Sequence, residues 1–238
     1  MAEEAAPPAR PRIALIHGLA ESLAPCRAAL AEHWPEAYAF DLLDSSLAAD
    51  RAALGGLDRS FFPRIRTLYD YALSAHGGAG RTSAVLFTCS AFGPAIEAVQ
   101  EIAAIPVLKP NECAFQQAIE PGGTVGLITT FAPSLPALEA ELADMAAGLD
   151  ASVAVRGACA AGALEALQGG DTAKHDALIV AAARSLGAVD RIVIGQFSAA
   201  RAARAVHDAT GLPVITTPDA AVRGLKKLVA IGTGNKNS

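Results

Sequence analysis

Cys89 is the residue whose type and setting best suit it to chemistry. It closes the apolar run VLFT at 85–88 and precedes Ser90 and a helical stretch that begins near Gly93 and Pro94. A thiol between a strand and a helix N-terminus meets free N–H groups and partial positive charge, both of which favour thiolate. Thiolate there is a nucleophile, or a base that holds a proton taken from carbon. The same N–H groups suit a ligand carboxylate, with Ser90 beside them. The competing reading is a buried structural cysteine that acts as a small hydrophobe.

The setting of Cys89 recurs. Val85–Glu112 and Ile192–Asp219 align without a gap at a displacement of 107 positions. Each block reads strand, tight turn, helix, then an Ile/Leu-Pro-Val strand that ends in polar residues. Ala95 and Ala202, Val99 and Val206, Pro106 and Pro213, and Val107 and Val214 coincide. Gln196 occupies the place that matches Cys89. Two similar α/β halves can set two strand ends face to face across a cleft, one bearing a thiol and the other an amide.

The elements that must position these residues are short apolar runs alternating with helical patterns. Strands are expected at 12–17, 38–43, 83–88, 105–109, 124–130, 152–157, 191–195 and 212–216. Helices are expected near 22–33, 59–75, 93–103, 112–120, 135–148, 172–187, 199–209 and 219–229. Alternation of this kind implies parallel sheets with right-handed crossovers. Eight strands in two similar sets give two four-stranded, doubly wound lobes. If IPVLK opens the second lobe and LPVIT returns to the first, the first lobe is 1–103 plus 212–238 and the second is 104–211.

Ligands in such sheets bind beyond the carboxyl ends of strands. That singles out His17, Asp44, Cys89, Ser90, Asn111, Glu112, Thr129, Thr130, Gln196, Ser198, Thr216 and Thr217. His17 either donates to a substrate carboxylate or shuttles a proton, or is a hydrogen-bonded histidine beside the Gly18 turn. Asn111 either binds substrate or starts a helix after Pro110. Thr130 offers a hydroxyl, though Thr is also a good strand residue. Cys26 and Cys113 fall in helical patterns and read as structural; Cys159 follows a strand.

Composition narrows the classes. With 52% hydrophobic and 5% aromatic residues, the 238-residue chain has an aliphatic core. A net charge of −5 leaves no basic stripe for nucleic acid. The four cysteines form no C-x-x-C pair, and the histidines show no H-x-x-H spacing, so neither a disulfide framework nor a metal site is expected. Neither phosphate-loop nor G-x-G-x-x-G fingerprint occurs, so no nucleotide cofactor is expected. No apolar run reaches the ~20 residues of a membrane span. The segments MAEEAAPPARPR and GTGNKNS read as short disordered tails, and the first lacks signal-peptide features. A cytoplasmic protein is expected, and its Ala-rich helices are compatible with a homodimer.

The runs FTCSAFGPAIEA (87–98), IPVLKPNE (105–112), GLITTFAPSL (126–135) and DRIVIGQFSAA (190–200) resemble the aspartate/glutamate/hydantoin racemase superfamily, with its maleate isomerase and arylmalonate decarboxylase relatives. The resemblance runs from Arg12 to about Leu228. It implies two pseudosymmetric flavodoxin-like lobes, each with a four-stranded parallel sheet, an active site between them and no cofactor. It also implies one cysteine after a strand in each lobe, one removing a proton α to a carboxylate and the other returning one to the opposite face. Cys89 matches the first of these positions, and Gln196 replaces the second thiol.

An amide cannot exchange protons usefully near neutral pH. The expected function is therefore a cofactor-independent racemase/isomerase-like enzyme working by proton transfer or thiolate chemistry on a small carboxylate or hydantoin-like substrate. Cys89 would be catalytic; His17, Ser90, Asn111, Thr130, Gln196 and Ser198 would bind substrate. His17, Ser198 or Glu112 could supply a second proton. The alternatives are a single-cysteine decarboxylase of malonate-type acids, although such relatives carry the thiol in the other lobe, and a non-catalytic carboxylate-binding protein. A cysteine hydrolase fits less well, because Phe87 stands where a nucleophile elbow wants a small residue.

Overall fold

The computed structural model describes residues 10–234 and shows two parallel sheets stacked with helices on both faces. Most of the two expected tails, 1–9 and 235–238, lies outside the described residues; Arg12 already belongs to the first strand and Gly232–Gly234 to the last helix. The first sheet has the order β2-β1-β4-β5, built from β1 (Arg12–His17), β2 (Tyr38–Leu43), β4 (Gly80–Phe87) and β5 (Val107–Leu108). The two-residue β3 (His76–Gly77) folds back antiparallel on β4, so this sheet has five strands where four were expected. The second sheet has the order β7-β6-β8-β9, from β6 (Gly123–Thr129), β7 (Val153–Cys159), β8 (Arg191–Ile194) and β9 (Val214–Thr216).

The internal repeat persists in the hydrogen-bond register. Val85 pairs with Val107 and Leu86 with Leu108. Ile192 pairs with Val214 and Val193 with Ile215, the same pairs displaced by the repeat. Alternation along the strands separates two cores in each lobe. On β1 and β4, Ile13, Leu15, Ala84 and Leu86 face α1 (Leu23–His33) and α10 (Thr217–Gly234). Ala14, Ile16, Val85 and Phe87 face α3 (Phe61–Ser74) and α4 (Gly93–Gln100). In the second lobe Ile128, Ile192 and Ile194 face α8 (Thr172–Ser185) and α9 (Ala203–Thr210). Val125, Leu127 and Val193 face α5 (Glu112–Ile119) and α6 (Leu135–Gly148).

The strand exchange expected between the lobes does not occur. IPVLK stays with the first sheet through β5, and LPVIT stays with the second through β9. The crossover after β4 is short, and a short crossover returns the chain beside the strand it left. The helices that follow cross over instead. α5 packs Phe115 and Ile119 on the second sheet, while α10 packs Val222 and Leu225 on the first. The lobes therefore trade near 110 and 217 rather than at 103 and 212. The two exchanged helices also touch each other: a Cβ on Gly224 would overlap the Cys113 sulfur.

Two helices had no counterpart in the sequence pattern, α2 (Ser46–Ala53) and α7 (Ala163–Gln168). α2 buries only Leu47, so its apolar face is too thin to register as a period. Among the described residues no helix is long and apolar enough to cross a membrane.

Candidate active site

β4 delivers Cys89 to the mouth of the cleft between the lobes. The residue is extended (φ −115°, ψ 111°) and starts a 3₁₀ turn at Ser90–Phe92, which leads into α4. Gly18, just past β1, makes room for it: a Cβ there would lie 3.3 Å from the Cys89 sulfur and 3.6 Å from the Phe92 ring. In the second lobe β8 ends at Gly195, Gln196 and the 3₁₀ turn Phe197–Ala202. The Phe197 ring crosses the cleft and is buried in the first lobe's core beside Ile13 and Leu15. That contact holds Gln196 opposite Cys89.

Cys89 and Gln196 line one cavity of about 30 Å³. The first lobe contributes Leu19, Ser22, Thr88, Cys89 and Ser90; Pro110 and Asn111 come from the connection; Gly195, Gln196, Phe197 and Ser198 come from the second lobe. The space is about one water in size. Cys89 is the only titratable group in that lining. Burial pushes its thiol pKa up, and the Ala91 N–H and then the Arg51 guanidinium act in the opposite direction. The expected thiolate at a helix N-terminus therefore does not hold here. Desolvation outweighs one N–H and one nearby cation, so the resting group is a thiol.

The amide wall has a defined orientation. The Thr130 N–H donates to Gln196 Oε1 at 2.6 Å, and the Thr130 hydroxyl donates to the same oxygen at 2.7 Å. A backbone N–H can only donate, so the atom facing it is the carbonyl oxygen. Gln196 is thus left to offer the two N–H groups of Nε2. Thr130 stands behind Gln196 and does not line the cavity.

Asn111 is 1% exposed, and neither Nδ2 nor Oδ1 has a hydrogen-bond partner. It sits at the N-terminal boundary of α5 but makes no cap. An unpaired buried carboxamide costs on the order of 1–3 kcal/mol per group, so its retention in a cleft points to a ligand.

His17 also lies behind the wall. It is fully buried, with Nε2 3.1 Å from Asp41 Oδ1 and Nδ1 2.8 Å from Thr88 Oγ1. Arg27 pairs with the other oxygen of Asp41. Burial lowers the His17 pKa, against the pull of Asp41 in the other direction. Of the residues expected to meet substrate, the structure gathers Cys89, Ser90, Asn111, Gln196 and Ser198, and sets His17 and Thr130 one layer back. Glu112 accepts from Gln100 Nε2 at 3.2 Å and is not in the cavity lining.

Three further residues surround the thiol. Thr88 and Ser22 line the cavity, and Arg51 stands close enough to bias the thiol. Arg51 belongs to the unforeseen α2, and its buried Nε has no hydrogen-bond partner. It lines a larger chamber of about 640 Å³ that shares Ser90 with the cleft. A chamber of about 460 Å³ adjoins through Ser198 on the other side. Lys109, in the linker after β5, joins Glu97 of α4 at 2.7 Å to Glu141 of α6 at 3.1 Å and so ties the lobes together.

Among the described residues Glu32, His33 and Asp219 are grouped closely enough to hold a cation. Arg223 Nη1 already stands 3.3 Å from His33 Nε2, so positive charge is supplied by the chain itself. Burial also pushes up two thiols outside the cleft, Cys26 to about 12 and Cys113 to about 11.

A family model described as Asp/Glu/Hydantoin racemase matches residues 23–225. No curated protein sequence matches the chain. Among solved structures, allantoin racemase from Pseudomonas fluorescens is similar with a TM-score of 0.70 at 20% identity, over 93% of this chain and 92% of that one. A glutamate racemase from Bacillus anthracis gives 0.66 at 12% identity, over 94% and 83%. Unliganded arylmalonate decarboxylase gives 0.53 at 17% identity, over 92% of each chain. At these identities the likeness to the solved structures is one of fold.

Proposed function

The chain belongs to the Asp/Glu/hydantoin racemase family and is a racemase-type enzyme; we propose that it moves a proton at a carbon next to a carbonyl, without a cofactor, using Cys89. One observation carries this reading: Cys89 is the only titratable side chain in a cleft otherwise lined by hydroxyls, amides and apolar groups. The substrate would be a small carboxylate or a hydantoin-like ring. Its carbonyl edge would meet the unpaired Asn111 amide and Gln196 Nε2. A carboxylate would reach past Ser90 toward the Arg51 guanidinium in the adjoining chamber. Uptake would require the lobes to part, since the cavity holds about one water.

In this mechanism Cys89 gives or takes the proton, and the N–H groups of Asn111, Gln196 and the Ser90–Phe92 turn stabilise the enolate oxygen that develops. The raised thiol pKa suits the acid half of the cycle, in which the carbanion is protonated. A second reading, a single-cysteine decarboxylase of malonate-type acids, is favoured by Gln196. The second lobe offers no titratable group on its face of the cleft, and decarboxylation needs a proton on one face only.

Solvent deuterium incorporation separates the two. Wild type and Cys89→Ala would be incubated with amino acids, hydantoins, maleate and arylmalonates. Cys89-dependent exchange at the α-carbon without mass loss supports racemase-type chemistry. Carbon dioxide release with one deuteron retained selects the decarboxylase. Full activity in Cys89→Ala removes Cys89 from the chemistry, and silence across the panel removes the mechanism and leaves a carboxylate-binding protein.

A further inference from the structure

Two chambers flank the thiol, and the internal repeat relates them. Ser198, Ala200 and Arg201 line the chamber of about 460 Å³ and occupy the repeat positions of Ala91, Gly93 and Pro94, which line the chamber of about 640 Å³. Ala28 and Glu32 of α1 correspond likewise to Ala140 and Asp144 of α6, each helix following the first strand of its lobe. The chambers are one feature built twice, and their side chains have diverged. The larger joins the cleft through Ser90 and holds the cations Arg51 and Lys109. The smaller joins it through Ser198, two residues past Gln196, on the wall that lacks a titratable group.

The smaller chamber has an apolar floor of Ala24, Ala28, Ala29, Leu167, Ala200 and Pro218, and its volume suits a small organic molecule. Its charges do not balance. Three carboxylates, Glu21, Glu32 and Asp219, share the lining with one cation, Arg201. Arg201 is engaged by Asp176 of α8, with Nε 3.0 Å from Oδ1 and Nη2 3.3 Å from Oδ2. Asp219 accepts from the Thr216 hydroxyl and stands 3.3 Å from His33 Nε2, which Arg223 also meets at 3.3 Å. Glu32 has only His33, at 4.0 Å. Glu21 is half-buried and has neither hydrogen bond nor ion pair among the described residues. Ser198 supplies a second, independent sign of a ligand. It is 4% exposed, and its hydroxyl has no hydrogen-bond partner among the described residues. A hydroxyl that deeply buried is ordinarily paired.

We propose that this chamber binds a small organic monocation, a primary ammonium on a compact apolar body with one further hydrogen-bonding group. The ammonium pairs with Glu21, the body lies on the alanine floor, and the second polar group meets Ser198. A carboxylate near the ammonium offsets the water it loses, whereas an anion is repelled by the same lining. The occupant touches α1 of the first lobe and the 3₁₀ turn Phe197–Ala202 of the second. It therefore holds the lobes together and slows any step that needs them to part. The site is distinct from the one that takes the substrate, and it does not depend on which reaction Cys89 performs.

The test uses the full-length protein as wild type, Cys89→Ala, Glu21→Gln and Ala28→Phe, with thermal unfolding to establish that each is folded. Ala28 is exposed on α1, so the larger side chain enters the chamber without entering the core. Calorimetry at low salt gives Kd for tyramine and for 4-(2-hydroxyethyl)phenol, the same body with a neutral hydroxyl in place of the ammonium. Tyramine should bind wild type and Cys89→Ala equally, and raise Tm in both. Glu21→Gln should weaken it roughly ten-fold, the loss of one charge-assisted hydrogen bond, and Ala28→Phe should abolish binding. The neutral analogue should bind wild type at least roughly ten-fold more weakly than tyramine does. Equal affinity for the two compounds, undiminished binding in Glu21→Gln and Ala28→Phe, or no binding by wild type would each overturn the proposal. A wild-type dimer that Ala28→Phe splits in sedimentation would place a second copy in the chamber, and would overturn it too. Tyramine binding without any Cys89-dependent exchange supports the site and removes only the proton-transfer reading.

Discussion

Replacing Asn111 by Leu should make the free protein more stable and the enzyme inactive. Both polar ends of the Asn111 side chain are buried without partners. Each such group costs on the order of 1–3 kcal/mol relative to a satisfied one. A single water in the adjoining cavity of about 30 Å³ can relieve part of that. A net gain of about 2 kcal/mol is the reasonable expectation for an apolar side chain of similar volume. The backbone at this position, φ −102° and ψ −15°, is open to Leu, and no cap is lost. In a chain of this length about 2 kcal/mol raises Tm by roughly 4–8 °C. Urea titration of wild type and Asn111→Leu would measure it as a rise in the midpoint at unchanged slope. Loss of Cys89-dependent exchange in the same variant would complete the result. A fall in stability of similar size would show that the amide is paired in the resting protein, and the inference from its isolation would be refuted.

The raised pKa of Cys89 makes a pH prediction. Its thiolate fraction is small at neutral pH, so alkylation by iodoacetamide should be slow at pH 7 and keep rising beyond the range where an ordinary thiol levels off. Arg51→Met should slow it further at pH values below the Cys89 pKa, because the guanidinium lowers that pKa; unchanged rates there would remove Arg51 from the site. Gly224→Ala should destabilise by about 1–2 kcal/mol, the cost of overpacking against Cys113 less the gain in helix propensity. Most of that cost should vanish in a Cys113→Ala background, and additivity in the double-mutant cycle would argue against the contact. Lys109→Met should leave Glu97 and Glu141 without their shared cation, lower stability by roughly 1–2 kcal/mol and enlarge the radius of gyration in X-ray scattering as the lobes part. An unchanged radius would show that Phe197, not Lys109, holds the cleft shut.

The strands were legible because buried parallel strands read as unbroken apolar runs, and RIALIH and YAFDLL begin and end where the sequence places them. The partner of each strand was not legible. The repeat shows that IPVLK and LPVIT are equivalent, but it is silent on whether they stay or trade places, and the helices turned out to be the travellers. Cys89 was visible from its place between a strand and a helix, and Gln196 through the repeat. The supporting layer was hidden because it depends on contacts between distant positions: His17 meets Thr88 across 71 residues and Gln196 meets Thr130 across 66. Asp41 gave the one available signal, a lone carboxylate inside an apolar strand. Arg51 gave none, since its helix buries a single leucine.

The exchange of α5 and α10 bears on the thiol and the amide that face each other. A single repeat on its own would end in a helix whose apolar side lies on a sheet it does not possess. Two identical copies would satisfy each other reciprocally, as a swapped dimer with twofold symmetry. In such a dimer any residue on one wall is also on the other, so two thiols come together or not at all. Joining the copies in one chain lifts that restriction. Each wall then has its own codon, and a cleft with Cys89 on one side and Gln196 on the other becomes attainable.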